Sequence, residues 1–138
     1  MSDRGSLTLW TLGLAVMVLF LGGISLDLWR AFEVRQDLAA MADSAATAGA
    51  SRIDTAVYRE TGDLVIDERA ARDAVEANLD SQQDRDRITN RSGPDVDGAV
   101  VTVTLEGDVE FTLLRLFLIG EGPIAVRATG SAEAISGP

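Results

Sequence analysis

Cysteine, histidine and lysine are all missing from the 138 residues of this chain. Without Cys and His there is no thiolate nucleophile, no Cys/His metal site, no Ser-His-Asp arrangement and no general base poised near neutral pH. Without Lys, Schiff-base chemistry is excluded as well. What remains for chemistry is carboxylate, hydroxyl, guanidinium and the phenol of Tyr58. Zero cysteine fits either side of a membrane, so it assigns no redox compartment. Aromatics are scarce at 5%, and the chain beyond Leu26 is rich in Ala and poor in bulky apolar residues. Against an ordering cost of roughly 1.5 kcal/mol per residue, such an inventory calls for added support.

Positive charge is also short. The formal net charge is −10, and because Asp3 and Arg4 cancel, all of it lies after Leu26. Arginines are scattered singly among acids, so the basic footprint that nucleic-acid binding requires is missing. No nucleic-acid partner, cofactor or small-molecule substrate is expected.

What the chain does have is an uncharged run of twenty residues from Leu7 to Leu26. At ~1.5 Å per residue this covers the ~30 Å hydrocarbon core of a bilayer. The run is too long for the core of a cleavable signal peptide, and Asp27, Leu28, Trp29, Arg30, Ala31 and Phe32 follow it instead of a small-residue cleavage site. The nearest Ala-x-Ala is Ala40-Met41-Ala42. Trp10 and Trp29 stand near its two ends, as in an aromatic belt. The segment is therefore read as a single-pass anchor in the cell membrane, with the short N-terminal lead cytoplasmic and the acidic part extracytoplasmic. Gly22 and Gly23 leave a side-chain-free spot suited to close helix approach. Asp27 is expected to snorkel at the interface, or to take a cationic partner if it lies inside.

No proline interrupts Asp27 to Ile53, so the helix should continue past the membrane. Its stripe at steps of four and three runs Leu28, Phe32, Arg35, Ala39, Ala42, Ala46, Gly49 and Ile53, large residues giving way to small ones. That taper admits a neighbouring helix or a sheet at close range. The candidate helix-packing residues are Gly22, Gly23, Leu28, Phe32, Ala39, Ala42, Ala46 and Gly49.

The remainder reads as a small α+β domain. "AVYRETGDLVI" suggests two short strands around a turn at Glu60 to Asp63. Asp67 reads as an N-cap, followed by a short helix with Ala71, Ala74, Val75 and Leu79 on one face. Residues 81–98 are polar and turn-rich, and read as a loop. "AVVTVTLEGDVEF" alternates as a strand, or as two strands turning at Gly107-Asp108, and "IAVRATGSAEA" closes the sheet. Between them "LLRLFLIGEGP" is too short to span and reads as a buried helical turn or a protein-facing patch. The expected organisation is a lead over 1–6, a transmembrane helix over 7–26, a projecting helix over 27–52, an acidic domain over 53–134 containing the 81–98 loop, and a tail over 135–138.

Weaker patterns yield little. Asp95-Val96-Asp97-Gly98 resembles the start of a calcium loop, but its twelfth position is Thr104 and not Glu. The pairs Glu106/Glu110 and Asp63/Asp67 could in principle do glycosidase-type work, and solvated charge is the simpler reading. Asn90-Arg91-Ser92 is a glycosylation sequon by letters only.

The charged lead ending Arg4-Gly5-Ser6, the uncharged span, the Ala-rich "LAAMADSAATAGAS", the "YRETGDLVID" segment and the closing "VEFTLLRLFLIGEGPIAVRATGSAEA" together resemble the TadE/TadG-like pilus-assembly proteins. These are minor pilin-like components of tight-adherence (Flp) systems, and the likeness is greatest to their actinobacterial branch. The resemblance implies a pilin-like fold, in which a long helix enters or caps a helical bundle at a type IV pilus or secretion machine on the cell surface. It also implies other pilin-like or Tad assembly proteins as partners. In pilin relatives a peptidase cuts after a Gly ahead of the span, a cut that Gly5 and Ser6 would match, and a Glu five residues into the mature chain helps register subunits. Here that fifth residue is Trp10, and no Glu precedes Glu33, which points to an uncut accessory role. Two other classes compete with this non-enzymatic reading: a stand-alone anchored binding or sensing domain, which needs a concave polar pocket, and an anchored carboxylate hydrolase, which needs two acids in one cleft.

Overall fold

The computed structural model describes residues 3–114 and 122–135. Helix α1 runs unbroken from Asp3–Ala50, 48 residues, or ~72 Å. Large apolar side chains along its first half stand in the open, among them Leu7, Leu9, Trp10, Leu12, Met17, Leu19 and Leu21. Among the described residues, one helix is thus long and apolar enough to cross a membrane. Its last five turns do the opposite and form one wall of the core.

The expected hairpin after Ile53 is a helix instead. α2 spans Thr55–Thr61, started by the Asp54 carboxylate, which accepts the N–H groups of Ala56 and Val57. Gly62 ends it in the left-handed conformation at φ 80°, which favours glycine. Two good caps outweigh the β-leaning Thr55, Val57 and Tyr58 between them. A single bridge, Ile53–Ile66, forms here, and its first residue precedes the expected hairpin. α3 follows over Glu68–Ser81, capped by Asp67 as expected, with Ala71, Val75 and Leu79 buried.

Among the described residues, three antiparallel strands form a sheet in spatial order β1-β2-β3: β1 Asn90–Asp97, β2 Val100–Val109 and β3 Ile124–Glu133. The 81–98 segment is therefore not simply a loop: a single 3₁₀ turn at Arg85–Arg87 leads into an edge strand. β1 shows no alternation of its own because its outer edge and most of its side chains face water, and its register shifts between Ser92 and Asp95. β2 continues straight through Gly107-Asp108, pairing with β3 from Val100 to Val109. The turn expected at that dipeptide is replaced by strand, since Gly107 lies under Leu38 and leaves it room.

The core sits between the second half of α1, α3 and one face of the sheet. Leu38, Met41, Ala42, Ala45 and Ala46 of α1 meet Val101, Val103, Leu105 and Ala128 of the sheet, with Val75 and Leu79 closing the side. The architecture is α+β, a long apolar helix extending into an Ala-rich segment laid on a small antiparallel sheet. Small residues set the spacing. Gly130 lies directly against the backbone of Ala42 and Asp43, and Gly49 against Val75 and Val101.

The other face of the sheet is polar and open. Across its three strands run Asn90, Glu106 and Arg127, register partners. The Glu106 carboxylate accepts from Asn90 Nδ2 at 3.0 Å and Arg127 Nε at 2.7 Å. The Asn90 amide and then the Arg127 guanidinium hold the Glu106 carboxyl below the usual carboxylate range. A lowered folded-state pKa favours folding above the ordinary glutamate value, and that contribution is lost as pH falls through the lowered one. Glu106→Gln should accordingly flatten the acid end of a stability–pH curve and leave the slope near neutrality unchanged. Thermal melts between pH 3 and 7 check this.

Candidate functional site

The sequence-predicted packing residues divide into two groups. Ala42 and Ala46 are fully buried, Gly49 is buried and Ala39 is half-buried. All four face the chain's own sheet and α3, so no other helix can reach Ala42, Ala46 or Gly49 while the domain is seated. Leu28 and Phe32 are exposed, at 49% and 68%, on a different face of α1 from buried Asp27 and half-buried Ala31. The buried face is centred on Leu38, Met41, Ala42 and Ala45, one position around from the predicted stripe. Gly22 has open space where a side chain would be, whereas Gly23 is covered. Gly5 and Ser6 lie in the first turns of α1.

Gly23 is covered by Leu113, which occupies the space a Cβ would take. Four residues on, Asp27 is 2% exposed. Its carboxylate accepts three successive backbone N–H groups, from Thr112 at 3.0 Å, Leu113 at 2.7 Å and Leu114 at 2.9 Å. Three residues further, Arg30 Nη1 donates to Thr112 Oγ1 at 3.1 Å. Positions 23, 27 and 30 recur at helical spacing, so one face of α1 receives the whole turn.

Among the described residues, the Asp27 carboxylate is thus met by backbone amides and not by a cationic side chain. Its acceptor oxygens meet the free amides that a chain presents as it starts a helical turn. A local signal for this contact is absent, because its two ends lie 85–87 residues apart. The one available hint is a lone acid directly after an apolar run, which demands some partner. The apolar segment expected as a buried turn or patch is seen only at its beginning. Its residues Leu116, Phe117, Leu118 and Ile119 lie outside the described residues.

Of the acids singled out by spacing, Asp67 caps α3 and Glu106 joins the cross-strand trio. Asp37 pairs with Arg87 at 2.7 Å, tying α1 to the 3₁₀ turn. Among the described residues no group of three or more acids is placed to hold a metal ion.

No curated protein and no solved structure matches the chain. A family model described as "Putative Flp pilus-assembly TadE/G-like" matches residues 5–52. That stretch is α1 almost from end to end, taking in the exposed apolar half, the Gly23–Asp27 receptor and the Ala-rich wall of the core. Over its long N-terminal helix, residues 5–52, the chain is similar to this family of putative Flp pilus-assembly proteins.

Proposed function

We propose that the protein is a non-enzymatic, membrane-anchored, pilin-like accessory component of a Tad/Flp-type pilus or secretion assembly. Its helix contacts partner helices within the bilayer, and its acidic domain offers a contact surface on the extracytoplasmic side. The observation that carries this reading is the coincidence of the family match at residues 5–52 with a helix whose first half is exposed and apolar on all sides. In a bilayer, helices associate through packing and not through expulsion of water, so such a surface serves both lipid and neighbouring helices.

Because Ala42, Ala46 and Gly49 are occupied within the chain, partner contacts are assigned to the part of α1 before Gly23. The natural absence of Cys makes this region easy to map. Single cysteines at Leu9, Leu12, Val16, Leu19 and Leu21, cross-linked in native cells, should trap partner proteins at some positions and not at others, with helical periodicity. Ala42→Cys should trap none. Monomeric protein at every position, together with purification alone in mild detergent, would contradict the proposal.

A further inference from the structure

We propose that the turn at residues 111–114 is a second membrane contact, seated in the leaflet from which the domain emerges. The domain then rests on lipid and is not held away from it by its helix. The inference rests on the reading of Leu7–Leu26 as a span and goes beyond it.

Lengths along α1 carry the argument. Gly23 is sixteen residues past Leu7, or ~24 Å along a straight helix, whereas the hydrocarbon core is ~30 Å thick. The contact between Gly23 and Leu113 is thus about 6 Å inside the far boundary of that core, and any tilt of the helix draws it deeper. Lipid facing α1 only as far as Gly22 would leave the core short by the same amount. Asp27, twenty residues past Leu7, falls at the boundary itself.

The chemistry of the turn suits that depth. A carboxylate at the edge of hydrocarbon and backbone N–H groups entering it are each unfavourable alone, since lipid offers neither donors nor acceptors. Here they meet: Asp27 takes all three amides of residues 112–114. The flanking surface stays apolar beyond the acid. Leu26, Leu28, Trp29 and Phe32 are 66%, 49%, 72% and 68% exposed, continuing the apolar surface of the span around the turn. Arg30 and Trp29 then stand at headgroup level, where both residue types are favoured.

The test places nitroxide labels on single cysteines in the full chain reconstituted in phosphatidylcholine vesicles, and compares collisions with oxygen and with a water-soluble nickel chelate. Leu19→Cys reports the middle of the span, Ser131→Cys the open sheet face, and Leu114→Cys and Phe111→Cys the turn. The proposal predicts that both turn labels favour oxygen by several-fold over Ser131, at a shallower depth than Leu19. Labels at Leu114 and Phe111 that match Ser131 while Leu19 is deep would overturn the second contact and leave the span intact. A Leu19 label open to nickel would overturn both. Leu114→Glu gives an independent arm: it should raise nickel access at a Phe111 label, and no change there would count against the proposal.

Discussion

Replacing Gly130 by Val should prevent the domain from seating on its own helix. The glycine faces the backbone of Ala42 and Asp43 with no space for a Cβ. Backbone atoms in the middle of a helix cannot step aside as the end of a flexible side chain can. The sheet would have to lift, separating Ala128 and Val103 from Ala42 and Ala45. Overpacking costs about 1–3 kcal/mol, and a clash with backbone belongs at the upper end, a large part of the stability available to a small domain with few bulky core residues. Leu38→Ala should be comparable from the opposite direction. That side chain is fully buried against β2, and its loss leaves a cavity costing ~3 kcal/mol. Pulse proteolysis in detergent micelles, titrated with urea, reads both. Each variant should become cleavable at much lower urea, while Gly22→Ala, with open space around it, should stay within about 1 kcal/mol of the parent. Equal resistance in all three would show that the second half of α1 is not the support of the sheet.

The second large effect is expected at Asp27. Asp27→Ala leaves three amides without their acceptor, and the turn would then be held to α1 by the Arg30–Thr112 hydrogen bond and the packing on Gly23. Hydrogen exchange at Thr112, Leu113 and Leu114 should accelerate by roughly tenfold or more, in keeping with the loss of a helix cap. Exchange at Val101, Val103 and Leu105 should hardly change, because the sheet does not depend on the turn. Asp27→Asn retains one acceptor oxygen and should fall between. Unchanged exchange at all three amides in the alanine variant would remove Asp27 from its assigned role.

Which parts of this arrangement were readable from the chain follows from how far each determinant reaches. α1 is written in twenty uncharged residues and an extension free of proline, and α3 in the Asp67 cap and the spacing of Ala71, Val75 and Leu79. β2 and β3 are carried by alternation at Val101, Val103 and Leu105 and at Ile124, Val126 and Ala128. These are local signals with local outcomes. β1 left no such mark, because an edge strand bonded to β2 needs no apolar face of its own, and Asn90 to Asp97 supplies little beyond Pro94 and Val96. In the 55–61 segment side-chain preference pointed to strand, yet Asp54 and Gly62 satisfy the ends of a helix and prevail. The Ala-rich stripe predicted close packing but could not say against what, and the occupant is the chain's own sheet. The union of Asp27 with the 111–114 turn depends on where β2 ends, a matter of tertiary register that no neighbouring residue encodes.

The most direct test of the central claim, that lipid is the solvent for the first half of α1 and that the same helix then braces the domain, is alkaline carbonate extraction of membranes from cells making the native protein. Mass spectrometry then identifies which residues of the chain are present in each fraction. Recovery in the membrane pellet of a chain retaining Leu7–Leu26 is the predicted result. A folded domain in the soluble fraction, lacking Leu7–Leu26 and still resisting protease, would contradict it.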